Sequence, residues 1–302
     1  MTAARPAVTD ELLARCAFPP PGTAATVAAS GGADSLALLL LAVAAGLDVT
    51  AVHVDHGLRP GSDLEAGVVA AAAGSLGVPW SSVRVEVGAG PNLEARARKA
   101  RRAVLPADAM TGHTLDDRAE TVVLNLLRGS GLDGLGGIRP GPTKPILALR
   151  RAETTALCEA AGLVVVDDPS NRDPAFRRNR VRHELLPLAN DVAERDLAPV
   201  LARTADLLAD DAAALDALAL ALDPTDARAL AAAPVAVARR AVRGWLVSAA
   251  PPHPPDAATV ARVLAVAGGE ARATEVGAGR RVARTAGRLR LEPPDGGAGR
   301  AP

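Results

Sequence analysis

Ala24-Ala25-Thr26-Val27-Ala28-Ala29 runs into Ser30-Gly31-Gly32-Ala33-Asp34-Ser35, and Leu36-Ala37-Leu38-Leu39-Leu40-Leu41 follows directly. The first stretch reads as a short strand closed by a Ser-Gly-Gly turn. The apolar run after it reads as a buried helix over Asp34–Ala45. Two glycines let the backbone turn tightly and present its N–H groups, while Ser30 and Ser35 add hydroxyls at a helix N-terminus. That is the make-up of a phosphate cradle. No lysine follows, so it is not the Walker-type loop ending in Gly-Lys-Ser/Thr. A serine-capped turn entering a helix has the same look, and both readings stand at this point.

Outward from this loop the pattern alternates. Val49–Val54 reads as a strand closed by Asp55-His56-Gly57, Asp63–Ser75 as a helix and Val83–Val87 as a strand. Asn92–Leu105 reads as a basic helix, Ala109–Gly112 as a short strand and Leu115–Leu127 as a helix. Short connections between alternating elements predict an α/β fold, a parallel sheet with helices on both faces, whose ligands bind beyond the carboxyl ends of the strands. After Pro145 the alternation fades. Arg151–Ala161 reads as a helix, Leu163–Val166 as strand-like, and Arg177–Leu186 as a basic helix stopped at Pro187. Ala193–Leu222 reads as one long Ala/Leu helix. Further helices near Val235–Val247 and Asp256–Val266 precede β-like runs at Ala271–Val276, Arg281–Thr285 and Arg288–Leu291. The expected organisation is a catalytic domain over 1–190, a helical linker over 191–234, a small helical/α+β domain over 235–292 and a disordered tail over 293–302.

The 302 residues are 49% hydrophobic and 23% charged, enough chain for one or two packed domains. Cys16 and Cys158 alone cannot build a disulfide framework, an iron–sulfur cluster or a four-cysteine zinc site. The longest apolar run, Leu36–Leu47, is too short to span a bilayer, and Met1–Cys16 has no apolar signal stretch, so a cytoplasmic protein with no membrane partner is expected. Aromatics make up 1% of the chain, with no Tyr, which argues against aromatic base-stacking platforms. Trp80 and Trp245 read as core anchors, and Cys16 and Cys158 as buried bystanders. Every basic residue except Lys99 and Lys144 is arginine, the mark of GC-rich codon use, so a single arginine is weak evidence of bidentate recognition. The 34 basic and 34 acidic residues cancel overall but are sorted along the chain. Arg84–Arg102, Arg172–His183 and Arg239–Glu292 are basic, whereas Pro187–Ala232 is acidic. Solvated helix faces give such runs, and so do two basic patches that share a polyanion.

Gly112-His113-Thr114-Leu115-Asp116-Asp117-Arg118-Ala119-Glu120-Thr121 follows the fourth strand. Thr114 can cap the helix, and Asp117 and Glu120, three apart, share one face. Paired carboxylates at a sheet's carboxyl edge suit a magnesium ion or an ammonium group; acidic capping of the helix is the alternative. In Phe176-Arg177-Arg178-Asn179-Arg180-Val181-Arg182-His183, Arg178 and Arg182 stand four apart on one face, suited to phosphate contacts or to a plain basic surface.

These segments occur in order with Val54-Asp55-His56-Gly57-Leu58-Arg59, Leu127-Arg128-Gly129-Ser130-Gly131 and Asp167-Asp168-Pro169-Ser170-Asn171. The hexapeptide at Ser30 resembles the pyrophosphatase loop of adenylating ATP enzymes. The whole series, from Val27 to Pro187, resembles the bacterial tRNA(Ile)-lysidine synthetases in their short form, and Arg239–Glu292 more weakly resembles that family's small substrate-binding domain. The resemblance implies an adenine nucleotide α-hydrolase-like, Rossmann-type fold. It also implies ATP and Mg2+, free L-lysine, and an isoleucine tRNA with a CAU anticodon whose wobble cytidine becomes lysidine. It assigns Ser30, Gly31, Gly32, Ala33, Asp34, Ser35, Asp55, His56, Gly112 and His113 to the nucleotide, with Asp34 also to the metal. Asp34, Asp117 and Glu120 would be catalytic, the latter two as a lysine-ammonium pocket, and Arg98, Arg101, Arg128, Arg178 and Arg182 would bind tRNA. Two positions depart from the family pattern: Arg102 where an aromatic is common and Arg118 where glutamine is common. A tRNA thiolase and a non-catalytic tRNA-binding relic are the rival readings. The thiolase needs a persulfide cysteine or a cysteine-held cluster near the loop, and the Ser30 and Asp117 neighbourhoods of the sequence contain none. The relic would be expected to have lost Asp34, Ser35 or Glu120, all of which are present.

Overall fold

Four parallel strands, β1 (Ala24–Ala28), β2 (Asp48–Asp55), β3 (Trp80–Arg84) and β4 (Met110–Thr111), lie in the order β3-β2-β1-β4. They belong to a computed structural model that describes residues 8–57, 63–88, 90, 93–249 and 254–293. The order reverses between β1 and β4, so the crevice beyond their carboxyl ends is the switch point where such sheets take ligands. Both the Ser30 loop and Gly112-His113 open there. The helices α1 (Val8–Leu13), α2 (Ala33–Ala44), α3 (Asp63–Ser75), α4 (Leu93–Val104) and α5 (Leu115–Leu127) alternate with the strands. Residues 35–42 of α2 are all buried, which is why its sequence is apolar on every side instead of amphipathic. It packs on β1, β2 and α7 (Arg151–Ala160), and its leucines form one core with Val27, Val49, Ile146, Leu149 and Leu157.

Beyond α5 come α6 (Leu132–Leu135), a 3-10 turn over Pro169–Arg172, and then α8 (Arg177–Arg180), a π-turn (Val181–Leu185) and α9 (Leu186–Val192). Next follow α10 (Ala198–Leu220), α11 (Ala227–Ala232), α12 (Val235–Ala249) and α13 (Ala257–Gly268), and an antiparallel sheet of β5 (Ala273–Gly277), β6 (Arg280–Thr285) and β7 (Arg288–Glu292). The chain divides into two compact units, Met1–Leu207 and Leu208–Pro302. The second has its own core, in which Leu230, Val242, Leu246, Val263, Val282 and Leu289 meet, with Trp245 half-buried against it.

Several expectations need correction. The third strand lies three residues upstream of Val83–Val87, because its register pairs Ala51 with Trp80 and Asp55 with Arg84. As β3 is an edge strand, Trp80 stays 41% exposed and does not anchor the core. Leu163–Val166 forms no strand. Its link to the loop is one bond from the Val166 N–H to the Gly31 carbonyl, and Val164 is exposed. Pro187 does not stop the basic helix. The Leu186 N–H bonds back five residues to the Val181 carbonyl, and this wider turn lets a residue with no N–H continue the helix. The long helix begins at Ala198, not Ala193, after a left-handed Glu194 and an Asp196 carboxylate that accepts from the Ala198 N–H. Cys16 is half-buried, with its thiol on the Leu12 carbonyl. The Leu58-Arg59 end of the second motif and the tail after Pro293 lie outside the described residues.

Candidate active site

The loop is held open from within. Ser35 Oγ accepts from the Ser30 N–H at 3.1 Å and donates to the Gly32 carbonyl at 2.8 Å. Gly32 caps α2 with no side-chain bond, and while the Ser35 N–H bonds the Gly32 carbonyl at 3.0 Å, the Ala33 and Asp34 N–H groups ahead of it are left to a ligand. Gly31 has φ +83°, a left-handed geometry that glycine adopts at little cost, and a Cβ there would meet Val166 Cγ2 at 2.7 Å. Gly112 is required for a different reason: a Cβ would sit 2.6 Å from the Asp34 carbonyl oxygen, so only glycine lets β4 come this close to the start of α2.

One guanidinium joins the three expected catalytic carboxylates. Arg151 reaches Asp34 at 3.5 Å, Asp117 at 3.0 Å and Glu120 at 3.1 Å. Asp34 also accepts a bond from the Thr154 hydroxyl. Burial pushes its carboxyl above the usual range, opposed by Thr154 and Arg151. Asp117 divides its two oxygens. Oδ2 closes the capping box with the Thr114 N–H at 2.8 Å, while Oδ1 faces Arg151 and Arg178, each at 3.0 Å. Capping, one of the alternatives in the sequence, is therefore present, and the other oxygen is paired with guanidiniums. Burial pushes Asp117 up, but the two guanidiniums and the Thr114 N–H outweigh it and hold the carboxyl below its ordinary value. Glu120, with a side chain 1% exposed, also takes Arg178 Nε and Arg182 Nε, both at 2.7 Å. Three arginines thus meet at this one carboxylate.

Arg151 was not anticipated, and neither were its neighbours Arg150 and Thr154. There was a signal: Arg150-Arg151 opens α7, the helix end that disfavours cations. Such a local violation marks a site compensated from elsewhere, here by Asp116, which accepts from Arg150 Nη2 and from the Arg151 N–H, both at 2.8 Å.

His113 pairs through Nδ1 with the Thr111 hydroxyl at 2.8 Å, and burial lowers its pKa to about 4. His56 is also lowered by burial, and its Nδ1 is buried with no partner among the described residues. Asp55 accepts from the Gly57 N–H at 2.8 Å and shapes that turn. The five arginines expected to bind tRNA do not form one patch. Arg101, on α4, is lowered by burial and then by Arg98 and Arg102, and Lys144 by burial and then by the same pair, so these four cations form a basic cluster. Arg128 ends α5, while Arg178 and Arg182 turn inward to Glu120. Arg118 is buried and bonds Asp206 of α10 through both terminal nitrogens.

A glycine-rich loop at the switch point of a parallel sheet, followed by a carboxylate-rich helix, defines an ATP-binding α/β enzyme of the pyrophosphatase-loop class. The PP-loop domain family matches residues 8–189. A tRNA(Ile)-lysidine synthase of Nocardia farcinica is 47% identical over 255 residues, covering 79% of this chain and 80% of the relative. The Rhodococcus erythropolis protein of the same name is 45% identical over 238 residues, covering 73% of each. The chain belongs to the tRNA(Ile)-lysidine synthase family. Among solved structures, the U34-tRNA thiolase NcsA of Methanococcus maripaludis, with its iron–sulfur cluster, matches at TM-score 0.56 and 17% identity, over 67% of this chain and 77% of that one, a likeness of fold. The fold does bring one cysteine to the loop, the Cys158 thiol donating to the Ala33 carbonyl at 3.4 Å, but burial raises that thiol to about 12 and the Cys16 thiol to about 11, so neither is poised as a thiolate.

Proposed function

We propose that the chain joins free L-lysine to C2 of the wobble cytidine in the CAU anticodon of an isoleucine tRNA. ATP adenylates the C2 oxygen with release of pyrophosphate. The lysine ε-amine then attacks C2, AMP leaves with that oxygen, and the amine loses a proton. The observation that carries this reading is the bridging of Asp34, Asp117 and Glu120 by Arg151 beside the loop at the switch point.

Ser30, Gly31, Gly32, Ala33 and Ser35 take the phosphates, their hydroxyls and N–H groups countering the charge that develops on pyrophosphate. The Nδ1 of His56, buried with no partner among the described residues, supports an adenosine site beside Asp55. With its pKa near 4, His113 is neutral at physiological pH and offers a ring nitrogen instead of a charge. No group of three His, Cys, Asp or Glu side chains that could hold a metal occurs among the described residues. Magnesium is commonly held by one or two carboxylates plus phosphate oxygens, and Asp34 fits that role. There the ion would offset phosphate charge.

Asp117 and Glu120 hold the lysine ε-ammonium only after a guanidinium leaves them. Arg151 is retained by Asp34 as well, whereas Arg178 and Arg182, held by Asp117 and Glu120, would exchange these two carboxylates for RNA phosphates. On this reading, tRNA arrival opens the lysine pocket, and the carboxylate and phosphate roles of the two arginines are successive states.

Incubation with ATP, lysine and the CAU-anticodon tRNA, followed by nucleoside mass analysis, should reveal lysidine, with pyrophosphate release dependent on the tRNA. Release without tRNA, or with no lysidine formed, would overturn the reading. Glu120→Gln should raise the lysine requirement more than the ATP requirement, because a charge-assisted bond contributes about 1.5–3 kcal/mol. Equal rises would make Glu120 a structural residue.

A further inference from the structure

The helical run after Phe176 has two neighbouring stripes. Arg178 and Arg182 face Glu120, while Arg177, Val181, Leu185 and Leu188 line a groove of about 470 Å3 against the end of α5. Its floor is apolar, with Leu124 and Leu127 supplied from α5. Leu127 is 65% exposed and Leu188 59%, so no described residue covers this floor. The rim is cationic. Arg180 is cancelled by Glu184 at 2.9 Å, but Arg177 has no carboxylate partner among the described residues. The contact made by Arg128 is a long one, 3.4 Å to Asn125 Oδ1.

We propose that this groove is a nucleobase subsite, seating the unpaired anticodon nucleotide that follows the reacting cytidine; the assignment rests on the lysidine-synthesis reading above. An apolar floor beside Arg177 and Arg128, neither paired with a carboxylate among the described residues, matches a base joined to its phosphate. The volume lies in the small-ligand range of roughly 300–1,000 Å3. Proteins that read single-stranded RNA splay bases onto aromatic or arginine planes. This chain has no Tyr, two Phe and two Trp, so leucines and arginines must serve instead. Along α5, Leu124 and Leu127 lie about 6 and 10 Å from Glu120. That spacing suits neighbouring nucleotides, one at the carboxylates and the next in the groove.

The test uses the full chain and an anticodon stem-loop carrying 2-aminopurine in place of the adenine after the cytidine. Its fluorescence should change on binding the wild-type protein. In Leu127→Glu/Leu188→Glu the change should vanish and RNA affinity should fall about tenfold, with thermal melting showing that the variant is folded. Arg177→Ala, which leaves the floor intact, should weaken binding while keeping part of the change. A double variant that binds RNA with the wild-type signal overturns the proposal. So does one that alters the mass in light scattering and leaves RNA affinity alone, which would make the groove a self-association surface. Lysidine formation on the same RNA separates the two readings. A wild-type chain that forms lysidine without a fluorescence change defeats the subsite alone. One that neither binds RNA nor forms lysidine defeats the function and the subsite together.

Discussion

Glu120 is buried and charged, and it is tolerated because three guanidiniums hydrogen-bond to it. Breaking such a cluster by removing one partner typically costs about 3–5 kcal/mol, since the remaining charges stay buried without compensation. The site therefore depends on arginines drawn from two separate segments, 151 and 178–182. His113 makes a contrasting case. It is kept neutral by burial, with Lys144, Arg178 and Arg98 adding to the effect against Asp117. Its folded pKa of about 4 lies below the ordinary 6.5, so the unfolded chain binds the extra proton between those values. Stability from this group is complete above pH 6.5 and is lost as pH falls towards 4, by at most about 3 kcal/mol. Urea midpoints measured across that window should decline for the wild type. His113→Gln should decline less, and parallel profiles would show that His113 does not titrate this way. Asp34, raised by burial, contributes with the opposite sign in both proteins and cancels in the comparison.

Among the elements, α5 carries the longest run of buried charge, since Asp117, Arg118, Ala119 and Glu120 are buried in succession in its first two turns. Buried charge at a helix start suits the macrodipole for Asp117 but strands Arg118, which finds Asp206 on α10. Arg118, where the sequence resemblance leads one to expect glutamine, thus has a structural partner in Asp206. Contact between the end of β4 and the start of α2 passes through Gly112. Gly112→Ala must move backbone, so it should destabilise the chain by about 1–3 kcal/mol and weaken ATP binding through the displaced loop. Gly74→Ala is the control. It lies within α3 with nothing inside 4 Å of the added Cβ, and it should gain about 0.5–1 kcal/mol. Urea unfolding and nucleotide titration of the two variants decide the matter. If Gly112→Ala proves as mild as Gly74→Ala, the close approach is not a requirement.

Over the whole molecule, each unit carries its own arginines. In the second unit, the β6–β7 register pairs Arg281 with Glu292 and Arg290 with Ala283, and Arg288 bonds Asp223 at 2.8 Å. That leaves Arg290 exposed, with no ion pair among the described residues. If tRNA engages both units, as the sorted charge suggests, Arg290→Glu should weaken binding evenly across tRNAs. It should also flatten the dependence of log affinity on log salt by about one unit. Binding assays at several salt concentrations measure this directly. An unchanged slope would confine recognition to the first unit and return the C-terminal arginines to codon bias.

The strand–loop–helix at Ala24–Ser35, the alternation up to Leu127 and the capping of α5 by Thr114 were legible in the sequence, because each depends on neighbours a few residues apart. Turn geometry, hydrophobic period and caps are local properties. What only the tertiary structure decided depends on partners distant along the chain. Trp80 is exposed because β3 ends the sheet, and Leu163–Val166 is not a strand because it meets the loop through one backbone bond. Arg178 and Arg182 have the spacing of a basic surface, yet they turn inward because Glu120, some sixty residues earlier in the chain, is buried beside them. Arg151 shows the same limit: sequence shows a cation at an unfavourable helix end, and only folding brings Asp34, Asp117 and Glu120 to it from two other helices. Local periodicity carries the free energy of forming elements, whereas the charge state of a site is set by desolvation and by which opposite charges share the same buried volume.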